Sequence, residues 1–212
     1  MIYCNVGELG LTRLRGRLAH VADPQNLIQL MLAEGKDMSK TAAETKIIAE
    51  GTVIIALTVI LKDFLPPIYR LPQGGSVSAG GMIPLLWFSE RRGLRSGLEA
   101  STVYGLVHMA LPGSYIVDPV QALLDYPIAF AALGLAGMFR KHPLVGVCVG
   151  ITGRFLAHFA SGVWFFSAYT PAGMNPVIYS AIYNGGYLIV ELIISAIVMY
   201  IIVKRRLLEI YL

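Results

Sequence analysis

A chain of 212 residues with 56% hydrophobic and only 14% charged residues cannot cover a water-facing surface, because a soluble domain carries roughly a quarter charged residues. Its mean hydropathy of +0.64 makes lipid the expected solvent for most of it. The net charge of +4 does not point to nucleic acid, since the basic residues stand in short clusters at the ends of apolar runs, where they set membrane topology.

Residues 1–45 differ in character from the rest and are expected to form a cytoplasmic extension. Thr12 to His20 is basic and weakly amphipathic, Asp23-Pro24 can open a second short helix, and Gly35 to Ser39 reads as a linker. Residues 1–30 lack a basic start followed by an apolar core, so no cleavable signal peptide is expected. Cys4 and Cys148 have no metal or redox spacing and read as inert thiols.

Residues 46–212 form the main domain, with six predicted spans at 47–65, 79–90, 94–111, 120–139, 143–166 and 178–203. The second is too short to cross a hydrocarbon core of about 30 Å, and the glycines from Gly74 to Gly81 predict an irregular start. Arg91, Arg92 and Arg95 lie between spans two and three, Arg140 and Lys141 between four and five, and Lys204, Arg205 and Arg206 after six. Positive residues stay inside, so both termini are predicted to be cytoplasmic. The fold class expected is an all-α, six-helix membrane bundle with an N-terminal cytoplasmic extension.

Ionisable groups inside spans are costly and usually face a cavity or a partner. Here they are Glu50, Glu99, His108, Asp125, Arg154, His158 and Glu191, with Asn184 as a neutral companion. With about 1.5 Å of rise per residue, Asp125, His158 and Asn184 fall at one level of the outer leaflet on three different helices. Trp164, Phe165, Phe166, Tyr169, Tyr179 and Tyr183 gather at the same end, as an interfacial belt or as a box for a flat, cationic ligand beside a carboxylate. Arg154 lies four residues before His158 and is expected to pair with Asp125 or Glu191. Glu50 and Glu99 sit near inner helix ends and are given no function.

No catalytic, metal or nucleotide motif is present: GxSxG, HExxH, CxxC and Walker patterns are all missing. Neither a cofactor nor a metal is expected, and ATP-driven transport would need a partner. An intramembrane enzyme using Asp125 and His158 as acid and base remains an alternative class.

The run Leu71-Pro72-Gln73-Gly74-Gly75-Ser76-Val77-Ser78 with Met82-Ile83-Pro84 resembles the first outer loop and second span of one family. That family is the thiamine-specific substrate-binding (S) components of energy-coupling factor transporters. Gln121 to Asp125-Tyr126, the stretch from Arg154 through His158 to Gly162, and Ser167 to Asn184 resemble the same family in order and spacing over about 47–203.

The resemblance implies a subunit of the plasma membrane, embedded in the lipid bilayer, that captures thiamine from outside. It would deliver thiamine with a separate transmembrane scaffold and two ATPase subunits. It implies ligand contacts from Tyr115, Asp125, His158, Gly162, Phe166, Tyr179 and Asn184, and a lid containing Gln73, Gly74 and Gly75. Thr52 and Ala56 have the small-xxx-small spacing that lets a scaffold approach the first helix. An S component for another vitamin or a thiamine precursor is the neighbouring alternative. Two positions depart from the family pattern. Phe166 stands where some relatives have tryptophan, with Trp164 as a possible substitute, and the first loop has no tryptophan, leaving Tyr69 or Gln73.

Overall fold

The computed structural model describes residues 24–207, and the chain divides into two compact units after Ile48. The longer helical segments follow in chain order. The first, α1, is a helix over Pro24–Val59 that widens into a π-helical turn at Ile60–Phe64. The expected short helix and Gly35–Ser39 linker are therefore corrected: both lie within one 36-residue helix. A lone glycine costs a helix only about 1 kcal/mol relative to alanine, and Lys36, Asp37 and Met38 beside it are not breakers. Thr12–His20 and Cys4 lie outside the described residues.

The second unit begins with the remainder of α1. A hairpin follows, β1 (Tyr69–Arg70) and β2 (Ser76–Val77), antiparallel with Tyr69 opposite Val77 and Arg70 opposite Ser76. The expected all-α fold thus carries one small β element. Gln73 at φ 60 and Gly74 at φ 97 turn the chain between the strands, and glycine accepts that region without strain. α2 spans Ile83–Arg92, only 10 residues. At 1.5 Å per residue it covers about half of a 30 Å core, so the short, irregularly entered segment expected from the glycines is present.

The other helices are α3 (Leu94–Ala110), α4 (Pro119–Met138), α5 (Pro143–Phe165) and α6 (Pro176–Lys204). Asp118 caps α4 by accepting from Val120 N at 2.7 Å, and Asn175 caps α6 by accepting from Val177 N at 2.8 Å. A proline follows each cap, where its missing N–H costs nothing. Among the described residues, α4, α5 and α6 are long and apolar enough to cross a membrane. The molecule is a mostly helical membrane protein.

α4 is irregular for a readable reason. Pro127 has no N–H to give, and the helix widens into a π turn at Leu124–Ile128, with Ala129 N bonded to Leu124 O. It narrows again to a 3-10 segment over Ala132–Met138. Gly105 of α3 lets this turn approach: a Cβ there would lie 2.8 Å from Tyr126 O and 2.7 Å from Pro127 Cα. The core around it holds Tyr104, Phe88, Phe130, Leu85 and Met82, all buried.

Glu50, given no function from the sequence, joins two helices. Arg92 Nε donates to it at 2.7 Å and Arg91 lies at 3.7 Å, tying α1 to α2. Arg140 closes the same region by donating to the carbonyls of Glu90 at 3.0 Å and Arg91 at 2.7 Å. Glu99 pairs only with exposed Arg95, one helical turn away.

Candidate binding cavity

A cavity of about 370 Å³ opens among α1, the hairpin, α3, α4, α5 and α6. Small-molecule sites typically begin at roughly 300 Å³. Tyr115, Asp125, His158, Gly162, Phe166, Tyr179 and Asn184 all line it, as do Gln73, Gly74 and Gly75. Residues scattered over more than a hundred positions therefore share one wall.

Asp125 projects from the π turn of α4 and is held on three sides. Gln121 Nε2 donates to its Oδ2 at 2.6 Å, Ser161 Oγ donates to the same oxygen at 2.8 Å, and His158 Nδ1 lies 2.9 Å from Oδ1. A carboxylate has about four acceptor positions, so one is left to face the cavity. His158 Nε2 accepts from Arg154 Nε at 3.2 Å, which assigns the ring proton to Nδ1 and makes His158 a donor to Asp125. The side chains are thus fixed before any ligand arrives.

Arg154 does not form the expected ion pair with Asp125 or Glu191. Its guanidinium lies over Phe130 at 4.1 Å, and its Nη1 contacts Met82 Sδ at 2.8 Å. The i,i+4 spacing puts it one turn from His158, with the Phe130 face as its neighbour. Glu191 pairs instead with Lys62 at 3.6 Å.

The hairpin is tied down beside these groups. Tyr183 OH donates to Pro72 O and accepts from Gly75 N at 3.1 Å. Lower down, Glu191 Oε1 accepts from Ser78 N at 2.7 Å and from Ser78 Oγ at 2.8 Å. Both ends of the hairpin are therefore fastened to α6.

The outer rim is aromatic. Tyr115 OH and Tyr169 OH are 2.7 Å apart, and the Phe166 ring lies 5.9 Å from each of their rings. The hydrogen bond shared with the Tyr169 hydroxyl raises the pKa of Tyr115. Tyr179, Tyr183 and Tyr187 form a ladder up α6 at 6.0 and 6.2 Å. Asn184 is partly committed, since its Nδ2 donates to Ser180 O at 3.0 Å and its Oδ1 accepts from Tyr187 OH at 3.3 Å. Gly162 has no room for a side chain: a Cβ there would collide with Ser180 Oγ.

Trp164 is 71% exposed and Tyr69 is exposed, and neither lines the cavity. Phe166 and Gln73 do line it. Thr52 and Ala56 lie on the exposed face of α1, away from the cavity. The sequence reading missed Lys62 and Asp63, which the π turn ending α1 brings to the wall. Asp63 accepts from Tyr104 OH at 3.0 Å and lies 2.6 Å from His108 Nδ1. Two adjacent charges in the last turn of an apolar span were the signal that could have found them.

Residues 48–210 match the sequence family described as Thiamine transporter protein. The thiamine transporter ThiT of Bacillus subtilis (strain 168) is 37% identical over 166 residues, covering 71% of this chain and 86% of that protein. The thiamine transporter ThiT of Lacticaseibacillus paracasei is 31% identical over 169 residues, covering 69% of this chain and 84% of the relative. A solved structure of ThiT from Listeria monocytogenes superposes with a TM-score of 0.70 at 25% identity, covering 77% of this chain and 96% of that one.

Proposed function

The chain belongs to the thiamine transporter protein family, and on that footing we propose that it captures thiamine from outside the cell in the cavity around Asp125. The family and the curated relatives are transporters, so the acid–base enzyme reading of Asp125 and His158 is set aside. The observation that carries the proposal is the preorganised Asp125 carboxylate, with three protein donors and one acceptor position facing the cavity.

Thiamine joins an aminopyrimidine, which donates through its amine, to a cationic thiazolium and a short alcohol. Asp125 accepts from the amine and offsets the ring charge, while Phe166, Tyr115 and Tyr179 offer faces to the rings. Gln73, Gly74 and Gly75 serve as the lid, and His158, Gly162 and Asn184 shape the floor.

In this reading the helical segments α1 to α6 form a six-span bundle of the plasma membrane with both termini inside. The basic clusters at Arg91, Arg92 and Arg95, at Arg140 and Lys141, and at Lys204, Arg205 and Arg206 support that orientation. Residues 1–45 are then a cytoplasmic extension and 46–212 the thiamine-binding domain. Transport requires an energy-coupling factor module, a membrane scaffold with two ATPase subunits. The exposed small residues Thr52 and Ala56 on α1 offer the scaffold a close approach.

Calorimetric titration of the purified chain with thiamine tests the proposal. Calorimetry is preferred to tryptophan fluorescence because neither Trp87 nor Trp164 lines the cavity. Saturable binding at micromolar ligand or below is expected. Tighter binding of another vitamin or of a thiamine precursor would redirect the assignment.

A further inference from the structure

Gln121 stands in the first turn of α4, just after the Asp118 cap, and is 1% exposed. A glutamine there ordinarily reaches back to satisfy the start of its helix with its carbonyl oxygen, and Gln121 Oε1 does accept from Val117 N at 3.0 Å. Its amide nitrogen makes two bonds that capping does not need. Nε2 donates to Asp125 Oδ2 at 2.6 Å and to Tyr115 O at 3.1 Å. Val117 N can only donate, while the Asp125 carboxylate and the Tyr115 carbonyl can only accept. All three partners therefore fix the same orientation of the amide. Both amide protons are used within the protein, which leaves Gln121 no donor for a ligand.

Building on the reading that the cavity takes thiamine, we propose that Gln121 is a positioning residue that ties Asp125 to the loop carrying Tyr115 and sets which carboxylate oxygen meets the ligand amine. Ser161 Oγ and Gln121 Nε2 fill both acceptor positions of Oδ2, and His158 fills one of Oδ1. The open position therefore lies on Oδ1, and the carboxylate cannot turn without breaking its bond to Gln121. The same amide holds the loop at Tyr115 O and Val117 N, and Tyr126 OH pins it again by accepting from Tyr115 N at 2.7 Å. The carboxylate and the rim tyrosine are thus kept in one register by one buried side chain. An acceptor fixed in this way rejects a ligand that presents a carbonyl oxygen there, because two acceptors then face each other with no proton between them. Freed of the Gln121 bond, Asp125 can turn away from such a carbonyl, and the discrimination relaxes.

Calorimetric titration of the full chain in detergent compares thiamine with the analogue that carries a carbonyl oxygen in place of the pyrimidine amine. The wild type is expected to bind thiamine about tenfold or more tightly than that analogue. Gln121→Met keeps the length of the side chain and removes all three bonds, so it should shrink the preference to about threefold or less. Gln121→Leu carries the test if the methionine variant does not fold. Loosening of the Tyr115 loop weakens both ligands alike and cancels in the ratio, so a purely structural role leaves the preference at its wild-type value. A folded variant that keeps the wild-type preference overturns the proposal. Wild-type protein that binds the two ligands equally overturns it without any variant. Wild-type protein that binds neither overturns the thiamine reading itself, a result distinct from an unchanged ratio.

Discussion

Glu191 accepts two hydrogen bonds from Ser78, from its backbone N at 2.7 Å and its hydroxyl at 2.8 Å, across 113 positions of sequence. The same Oε1 lies 3.6 Å from the buried Lys62 ammonium. One carboxylate therefore fastens the root of the hairpin to α6 and neutralises the end of α1. Glu191→Ala leaves a buried ammonium unpaired, a defect worth about 3 kcal/mol or more. A clear drop in the unfolding temperature in detergent is expected, with Glu191→Gln milder because it still accepts from Ser78. Equal stability of the alanine variant and wild type would show that the tie carries no load.

Tyr183 holds the tip of the same hairpin, donating to Pro72 O and accepting from Gly75 N. Tyr183→Phe keeps the ring and removes both bonds, at about 1 kcal/mol each. On the proposed reading of this hairpin as the lid, the two bonds hold it closed, so dissociation of ligand should speed up by roughly fivefold or more. Association should change little, since entry starts from the open lid. Stopped-flow measurement of both rates checks the split, and slower association with unchanged dissociation would contradict it.

Gly162 is a packing requirement as well as a cavity wall. A Cβ there collides with Ser180 Oγ and lies 3.1 Å from Asn184 Nδ2, so Gly162→Ala overpacks the α5–α6 contact at a cost of about 1–3 kcal/mol. Ser180→Ala removes the colliding atom. The double variant should be more stable than the sum of the single effects allows, because the two sites share one contact. Strict additivity in thermal unfolding would place the strain elsewhere.

The order of the helices and one wall of the cavity were legible because they rest on periodicity and depth. Asp125, His158 and Asn184 fall at one level by counting residues along three helices, and all three line the cavity. Other features depend on helix rotation and local winding, which composition does not encode. Trp164 belongs to the same aromatic cluster as Phe166 yet points outward, because two positions on a helix are about 200° apart. Lys62 and Asp63 sit in a span that a regular helix would carry on toward the outer surface; the π turn at Ile60–Phe64 swings them to the wall instead. Arg154 was expected to find a carboxylate and found Phe130, since a one-turn offset predicts proximity to His158 but not which neighbour fills the space below. Gly35 was read as a break because glycine is a weak helix former, but its neighbours sustain the helix.

The central claim is that Asp125 is the ligand-binding carboxylate of a thiamine site. Parallel calorimetric titrations of wild-type protein and Asp125→Asn with thiamine test it most directly. Asparagine keeps the size and one acceptor oxygen but loses the charge, so affinity should fall by roughly tenfold or more while the protein remains folded. Saturable wild-type binding with a folded, weakened variant is the predicted result. Equal affinities, or no saturable wild-type binding at micromolar thiamine, would contradict the account.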